Sequence, residues 1–271
     1  MKVSAFGMSD VGKRREKNED RFLINEDLNL YVVADGMGGH LGGDFASNLA
    51  VTTVDEIVGI IEKDPDNYFQ NNTVPFKNGE FQAYLRYSIQ QASLRIYEQA
   101  NQNSALHGMG TTTVALLFRD GKVYVANVGD SRAYRIRDNN IDQITKDHSL
   151  VGEQVRAGIL SESDAKGHRL KNIITRSVGF QEGVDSDIDI KAVRRGDKFL
   201  LCSDGLSNLV KNDEIRDVVG GNSLEDACRR LIDVANERGG DDNITVVLTE
   251  VVDLGVVSED AISSDDSTIE L

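Results

Sequence analysis

Two cysteines in 271 residues are too few for a disulfide framework, and Cys202 and Cys228 are too far apart for a CxxC metal or redox motif. Both lie in apolar patterns, so we expect buried core thiols. Residues 1–6 lack the apolar segment of a secretory signal, and no hydrophobic run approaches the length that crosses a membrane. These absences predict a cytoplasmic protein.

The chain also lacks net positive charge. It has 30 Lys and Arg residues and 45 Asp and Glu residues, which gives a formal charge of -15. Such acidity argues against nucleic acid and anionic membranes as partners, because both attract basic surfaces. A chain of this charge that handles phosphate needs a few placed cations or bound metal ions. Residues 253–271 hold six acidic residues and no Lys or Arg. We expect this tail to be disordered and to follow a single domain at residues 1–252.

Hydrophobic periodicity predicts both strands and helices. Strands are predicted at residues 2–8, 21–25, 30–34, 111–118, 122–128, 132–137, 188–193, 198–202 and 243–251. Helices are predicted at residues 46–61, 81–96, 147–158, 161–166 and 223–238, with an irregular surface connection at 62–80. Most strands follow one another through tight turns, whereas the helices come in separate groups. This grouping predicts antiparallel sheets with helices packed outside them, not alternating βαβ units.

Aspartates recur at the ends of the apolar strands. The strand at residues 30–34 (LYVVA) leads into Asp35 and a glycine-rich stretch, where a ligand could approach the backbone closely. An Asp-Gly hairpin turn would explain this stretch on its own. Asp130, Asp204 and Asp242, however, lie in the same way beside the strands at 123–128, 199–202 and 244–248. The repetition favours a shared function for the four carboxylates.

If these strand ends lie at one edge of stacked sheets, the four carboxylates converge. Converged carboxylates repel one another unless a cation neutralises them. An all-oxygen site without cysteine or a histidine pair suits Mg²⁺ or Mn²⁺. Each aspartate taken alone is better explained as a turn residue at a strand end, and it is the recurrence of four that favours a metal site. The sequence contains no GxGxxG, GxxxxGK[ST] or HExxH motif, and residues 185–190 lack the glycine of a calcium loop.

Six short motifs occur in order along the chain: residues 12–20 (GKRREKNED), 35–40 (DGMGGH), 108–112 (GMGTT), 128–132 (VGDSR), 202–206 (CSDGL) and 242–245 (DNIT). Together they resemble the metal-dependent protein serine/threonine phosphatases of the PPM type (protein phosphatase 2C), particularly the compact bacterial members, over residues 6–251. The resemblance implies an α+β fold, a four-layer α-β-β-α sandwich of two antiparallel sheets flanked by helix pairs. It also implies a flap at roughly residues 145–180.

The resemblance further implies hydrolysis of phosphoserine and phosphothreonine in proteins by a metal-activated bridging water, with two or three Mn²⁺ or Mg²⁺ ions per chain. The implied metal ligands are Asp35, Gly36 through its carbonyl, Asp130, Asp204 and Asp242. Glu19 and Asp20 would orient metal-bound waters. Arg15 would grip the substrate phosphate, since a guanidinium matches two phosphate oxygens.

Some positions depart from the family pattern. Met37 stands where many eukaryotic relatives carry a histidine proposed as the general acid. His40 is the nearby candidate for that role, and a scaffolding role is equally compatible with its position. His168 and Arg176 could reach substrate from the flap, although surface positions are favoured. The connection at residues 67–80 is longer than in compact bacterial members.

The resemblance implies phosphorylated proteins as partners, those phosphorylated by a serine/threonine kinase, and we expect a monomer that binds neither nucleic acid nor membrane. Two alternatives stay open at this stage. One is a catalytically inactive relative that only binds phosphoproteins. The other is a phosphatase of a small phosphorylated metabolite.

Overall fold

The computed structural model describes residues 1–38, 42–161, 164 and 167–255. Its strands are β1 Lys2–Asp10, β2 Asp20–Asn25, β3 Leu30–Met37, β4 Gly110–Thr111, β5 Thr113–Arg119, β6 Lys122–Val128, β7 Arg132–Arg137, β8 Asn140–Gln143, β9 Asp187–Ala192, β10 Lys198–Cys202 and β11 Ile244–Asp253. Its helices are α1 Gly42–Lys63, α2 Pro65–Asn71, α3 Phe81–Gln102, α4 Leu150–Arg156, α5 Asp204–Ser207, α6 Asn212–Gly221 and α7 Leu224–Glu237, with a 3-10 turn at Ser104–Leu106.

The strands form two antiparallel sheets. The first sheet has the order β1-β11-β10-β7-β8, and the second has the order β2-β3-β5-β6-β9, with β4 beside β3. Helices α6 and α7 cover the outer face of the first sheet, while α1 and α3 cover the second. The predicted four-layer sandwich is therefore confirmed.

Alternating side chains along the strands build three apolar layers. Tyr31 and Val33 of β3 face the other sheet and pack with Leu201 and Val247. Val32, on the opposite side of the same strand, packs beneath α1 and α3. This alternation follows from the two-residue period of a strand. Its consequence is that β3 is buried on both faces, which explains its continuous apolar sequence.

The strand predictions are confirmed within a few residues, and the two cysteines are buried and free, as expected. The prediction that residues 62–80 are irregular is wrong over Pro65–Asn71, which forms α2. Pro65 is tolerated there because it occupies the first turn, and the Asp64 carboxylate caps the helix by accepting from the Asn67 N–H. Strand β3 runs on to Met37, so Asp35 lies inside the strand and not beyond its end.

Besides α2, the elements β8, α5 and α6 were not predicted. The helix predicted at residues 161–166 falls mostly outside the described residues, as does the tail beyond residue 255. Within the described ranges, no helix is both long and apolar enough to cross a membrane.

Candidate functional site

The topology brings one end of each sheet to a common edge. In the first sheet, Cys202 at the end of β10 pairs with Arg132 of β7 on one side and with Val246 of β11 on the other. The segments that carry Asp130, Asp204 and Asp242 therefore leave the sheet at the same edge. In the second sheet, Asp35 pairs directly with Asp20 across β2 and β3.

A cavity of about 930 Å³ opens at this edge. The residues that line it include the predicted site residues Arg15, Glu19, Asp35, Gly36, Asp130, Asp204 and Asp242. Asp20 is only 2% exposed. Further lining residues lie in the stretch 172–185, here called the wall segment. The structure thus brings together the strand-end carboxylates that the sequence singled out.

Backbone hydrogen bonds fix Asp35 in its place. The Asp35 N–H donates to Thr112 Oγ1 (3.0 Å), and the Asp35 carbonyl accepts from the Thr112 N–H (2.9 Å) and from Thr111 Oγ1 (2.9 Å). With the backbone held in this way, the Asp35 carboxylate is left to face the cavity. The two threonines belong to the GMGTT motif, but the sequence alone did not assign them this role.

Asp20 is held by hydroxyls from the first sheet. Its Oδ2 accepts from Ser203 Oγ (2.8 Å) and Thr245 Oγ1 (2.7 Å), while its Oδ1 is buried without a partner. Ser203 directly precedes the predicted residue Asp204, and Thr245 follows the predicted Asp242 by three residues; this proximity is the signal that could have identified them. The two hydroxyls join the β2 end of one sheet to the β10 and β11 ends of the other.

Asp204 and Asp242 lie where α5 and β11 begin. Asp204 Oδ2 accepts from Asn208 Nδ2 (3.0 Å), and its Oδ1 is buried without a partner. The two segments can approach because Gly205 has no side chain, since a Cβ there would lie 2.0 Å from the Asn243 carbonyl oxygen. The glycine of the CSDGL motif is therefore required by packing at the site.

Arg15 is paired with Asp242 in this structure. Its Nη2 donates to Asp242 Oδ2 at 2.7 Å, and Asp242 Oδ1 accepts from the Asn243 N–H at 2.8 Å. The Arg15 side chain is 54% exposed and lines the cavity. A phosphate in the cavity would therefore compete with Asp242 for this guanidinium.

Asn243 and His148 position the loops that carry site residues. The Asn243 amide accepts from the Glu19 N–H (2.9 Å) and donates to the carbonyls of Val11 (3.0 Å) and Lys17 (2.9 Å). His148 Nδ1 accepts from the N–H of Gly129, the residue before Asp130, at 3.1 Å. Neither role was predicted from the sequence. The position of Asn243 directly after Asp242 could have indicated its role, whereas no sequence pattern indicated the role of His148.

Four carboxylates of the site are buried and repel one another, and both effects raise their pKa values. Burial, followed by the charges of neighbouring aspartates, raises the pKa of Asp130 to about 7 and that of Asp204 to about 6. Burial also raises the pKa of Asp20 to about 7, against the opposing effect of its two hydroxyl donors. The pKa of Asp35 is raised well above its ordinary value by burial and then by Asp20. Such mutual repulsion among buried carboxylates is the electrostatic pattern of a cation-binding site.

The donor chemistry fits a hard divalent cation. The described residues that line the cavity include carboxylates and carbonyls but neither histidine nor cysteine, a set that suits Mg²⁺ or Mn²⁺. The unpartnered oxygens of Asp20 and Asp204 also call for a donor or a cation. In the described part of the chain, no three carboxylate, imidazole or thiol groups are spaced to hold one ion by themselves. An ion here would therefore also use backbone carbonyl oxygens and water.

The remaining candidates are placed differently. Arg176 lines the cavity from the wall segment and donates to Asp187 Oδ1 at 2.7 Å. His168 is not among the residues that line it, and its Nδ1 accepts from the Leu170 N–H at 3.2 Å. His40 lies outside the described residues. Of the two flap residues considered from the sequence, Arg176 is thus the one at the cavity.

Comparison with known sequences matches nearly the whole chain. A family model described as protein phosphatase 2C matches residues 12–249. The serine/threonine phosphatase stp of Listeria welshimeri is 38% identical over 246 residues, which cover 89% of this chain and 93% of the relative. The protein phosphatase PhpP of Streptococcus pneumoniae is 38% identical over 250 residues, which cover 90% of this chain and 96% of the relative.

Solved structures share the fold. The Mycobacterium tuberculosis serine/threonine phosphatase PstP/Ppp superimposes with a TM-score of 0.82 at 31% identity, covering 93% of this chain and 100% of its own. The PstP catalytic domain in complex with two manganese ions gives a TM-score of 0.80 at 31% identity, covering 93% and 99%. Both structures confirm the α+β fold that the resemblance implied and the antiparallel sheets that the strand grouping predicted.

Proposed function

The chain belongs to the protein phosphatase 2C family, and we propose from this premise that it hydrolyses phosphoserine and phosphothreonine in proteins with the help of divalent metal ions. One observation carries the proposal. The carboxylates of Asp35, Asp130, Asp204 and Asp242 meet in one cavity that also contains Arg15. The named relatives are serine/threonine phosphatases or protein phosphatases, so the inactive relative and the metabolite phosphatase find no support.

We propose that Asp35, the Gly36 carbonyl, Asp204 and Asp242 hold two ions and that Asp130, with Asp204, serves a weaker third position. The PstP catalytic domain with two manganese ions supports Mn²⁺ and this number. Divalent ions bound here would lower the pKa of a water molecule and neutralise charge on the phosphate. The carboxylates supply the negative charge that retains them.

The chain's other residues then position water and substrate. Asp20, held by Ser203 and Thr245, has one free buried oxygen with which to orient a water molecule. Glu19 lines the cavity beside it and shares that task. Arg15 is within reach of a phosphate that lies above Asp242, and its fork can hold two phosphate oxygens at once. A water nucleophile makes a phosphorylated enzyme intermediate unnecessary.

His40 is the proposed proton donor to the leaving oxygen. A serine alkoxide needs this proton, whereas p-nitrophenolate is stable without it. His40→Ala should therefore slow hydrolysis of a phosphoserine peptide by about a hundredfold and slow hydrolysis of p-nitrophenyl phosphate far less. An equal loss on the two substrates would assign His40 to the scaffold instead.

Two adjacent aspartates allow a matched test of the metal proposal. Asp242 lines the cavity, whereas the Asp241 side chain is 71% exposed and forms an ion pair with Arg14 at 3.9 Å. With Mn²⁺ present, Asp242→Ala should lower turnover of phosphoserine and phosphothreonine peptides by about a hundredfold or more, and Asp241→Ala should leave it nearly unchanged. A phosphotyrosine peptide tests the substrate class. Equal effects of the two substitutions, or faster turnover of phosphotyrosine, would contradict the proposal.

Substrates of this phosphatase are proposed to be proteins phosphorylated by a serine/threonine kinase, and the enzyme is proposed to act as a monomer. Comparison of the phosphoproteins in a deletion strain and in the wild type would identify the substrates. Accumulation of phosphotyrosine alone in the deletion strain would contradict this assignment.

A further inference from the structure

A large aromatic side chain is exposed inside the charged cavity. Phe180 is 63% exposed and lines the same cavity as Asp35 and Asp204. Ile174 and Val184 of the wall segment line it too and are partly buried. Charged residues line the cavity as well, Arg15 and the wall segment's own Arg176 among them. The cavity therefore combines an exposed aromatic ring with charged groups and the site carboxylates.

The backbone on both sides of Phe180 is anchored. Val178 forms a two-way β-bridge with Thr111, with N–O distances of 3.0 and 2.8 Å. Ser93 of α3, fully buried, accepts from the Gly179 N–H (3.0 Å) and donates to the Gln181 carbonyl (2.9 Å). One buried hydroxyl thus holds the residues immediately before and after Phe180.

Packing prevents the segment from moving toward the protein interior. Gly179 has φ +90° and lies so close to α3 that a Cβ there would be 2.1 Å from Ile96 Cγ2. Both Val178 and Gly179 are buried. The space beneath Phe180 is therefore filled, and its ring is presented to the cavity from a fixed backbone.

We propose that Phe180 is a specificity-determining residue that binds an apolar side chain close in sequence to the substrate's phosphorylated residue. The inference rests on the proposed function and deepens it. A cavity of about 930 Å³ is large enough for a drug-sized ligand, so residues beside the phosphorylated one also fit. With the phosphate at the carboxylates, a neighbouring residue of the substrate that lies along the wall segment meets Phe180, which lines the same cavity.

The fixed backbone makes this contact effective. An aromatic ring loses little freedom on binding, because it has only two side-chain torsions and its backbone is already ordered. Its large apolar surface is removed from water only when an apolar group covers it. A serine or charged residue at the same place in the substrate gains no such contact. Phe180 therefore discriminates among phosphopeptides without touching the phosphate.

The test uses the full chain with Mn²⁺ and a set of phosphoserine peptides. In each peptide a single leucine occupies one of the three positions on either side of the phosphoserine, and the reference peptide has serine at all of them. The wild-type protein should prefer leucine at one position by about tenfold in kcat/KM. Phe180→Ala should bring that ratio close to one, and Phe180→Leu should restore most of it.

Two further variants separate contact from structure. Ile60→Ala removes an apolar side chain that is 47% exposed on α1 and does not line the cavity, so it should keep the wild-type preference. Ser93→Ala removes the two side-chain hydrogen bonds to Gly179 and Gln181 and should reduce the preference while the phosphoserine requirement remains. A preference that persists in Phe180→Ala, or that is absent from the wild type, would overturn the inference. Failure of the wild type to hydrolyse any peptide would instead overturn the proposed function.

Discussion

Arg15 and Arg14 are adjacent in sequence but differ in what they face. Arg15 lines the cavity, whereas the Arg14 side chain is 71% exposed and outside it. Arg15→Ala should raise the KM of a phosphopeptide by about tenfold and change kcat less, because the guanidinium binds phosphate in the ground state as well. Arg14→Ala is the matched control. Steady-state kinetics of both variants test this prediction. An unchanged KM in Arg15→Ala would show that Arg15 does not bind the substrate phosphate.

Asp20 links the site to stability. The pKa of Asp20 in the folded protein is about 7, whereas that of an aspartate in an unfolded chain is about 4. Between these two pH values Asp20 binds more protons in the folded state than in the unfolded state. The contribution of Asp20 to the stability of the metal-free protein therefore decreases as pH rises from about 4 to about 7. Asp20→Asn removes the titrating group. In chelator, the Tm of the wild type should therefore fall more between pH 5 and pH 7.5 than that of Asp20→Asn, and parallel curves would contradict this.

Gly205, at the start of α5, allows a test of how closely the segment after β10 must approach the segment before β11. Gly205→Ala places a Cβ 2.0 Å from the Asn243 carbonyl oxygen, which must push α5 away from β11 and separate Asp204 from Asp242. Turnover and Mn²⁺ affinity should both fall by at least about tenfold. Activity at the wild-type level in this variant would show that the spacing is not critical.

Gly220→Ala is the control for the Gly205→Ala substitution, because it also adds a methyl group to a helical glycine. Gly220 lies in α6, and a Cβ there would meet no atom within 4 Å. Alanine should stabilise the helix by about 0.5–1 kcal/mol and leave turnover unchanged. Chemical unfolding of both glycine variants measures the contrast.

Sequence patterns predicted the strands because their apolar residues are continuous or alternate clearly, as in β3, β5 and β11. Helix α6 was missed because only Ile215 and Val219 are buried in its ten residues, so its apolar face is too short to show a period. Helix α2 was obscured by Pro65 and its asparagines. Local propensity favours a turn in such a segment, but packing of Tyr68 against the aromatic side chains of α3 stabilises a helix.

The site was predictable in its members but not in its arrangement. Four aspartates at strand ends indicated a metal site, but only the strand orders show that those ends share one edge. The pairing of Asp242 with Arg15 and the hydroxyl partners of Asp20 depend on residues distant in sequence. No local pattern contains that information. Phe180 was missed for the same reason, since its exposure depends on how α3 packs beneath Gly179.

For the molecule as a whole, metal and protons compete for the same carboxylates. The raised pKa values of Asp130 and Asp204 mean that both hold protons more readily than usual near pH 6. Mn²⁺ must displace these protons, so its stabilising effect should grow with pH. The increase in Tm on adding Mn²⁺ should be larger at pH 7.5 than at pH 5.5 by several degrees, about 4 °C or more. An equal increase at both values would contradict the assignment of these groups as ligands.

The most direct test of the convergent-carboxylate site is phosphate release from a phosphothreonine peptide by chelator-treated protein as Mn²⁺ is added back. Wild-type protein should be inactive without metal and recover fully, whereas Asp35→Ala and Asp204→Ala should stay about a thousandfold less active at any Mn²⁺ concentration. Full turnover in metal-free buffer, or recovery of either variant to the wild-type rate, would contradict the account.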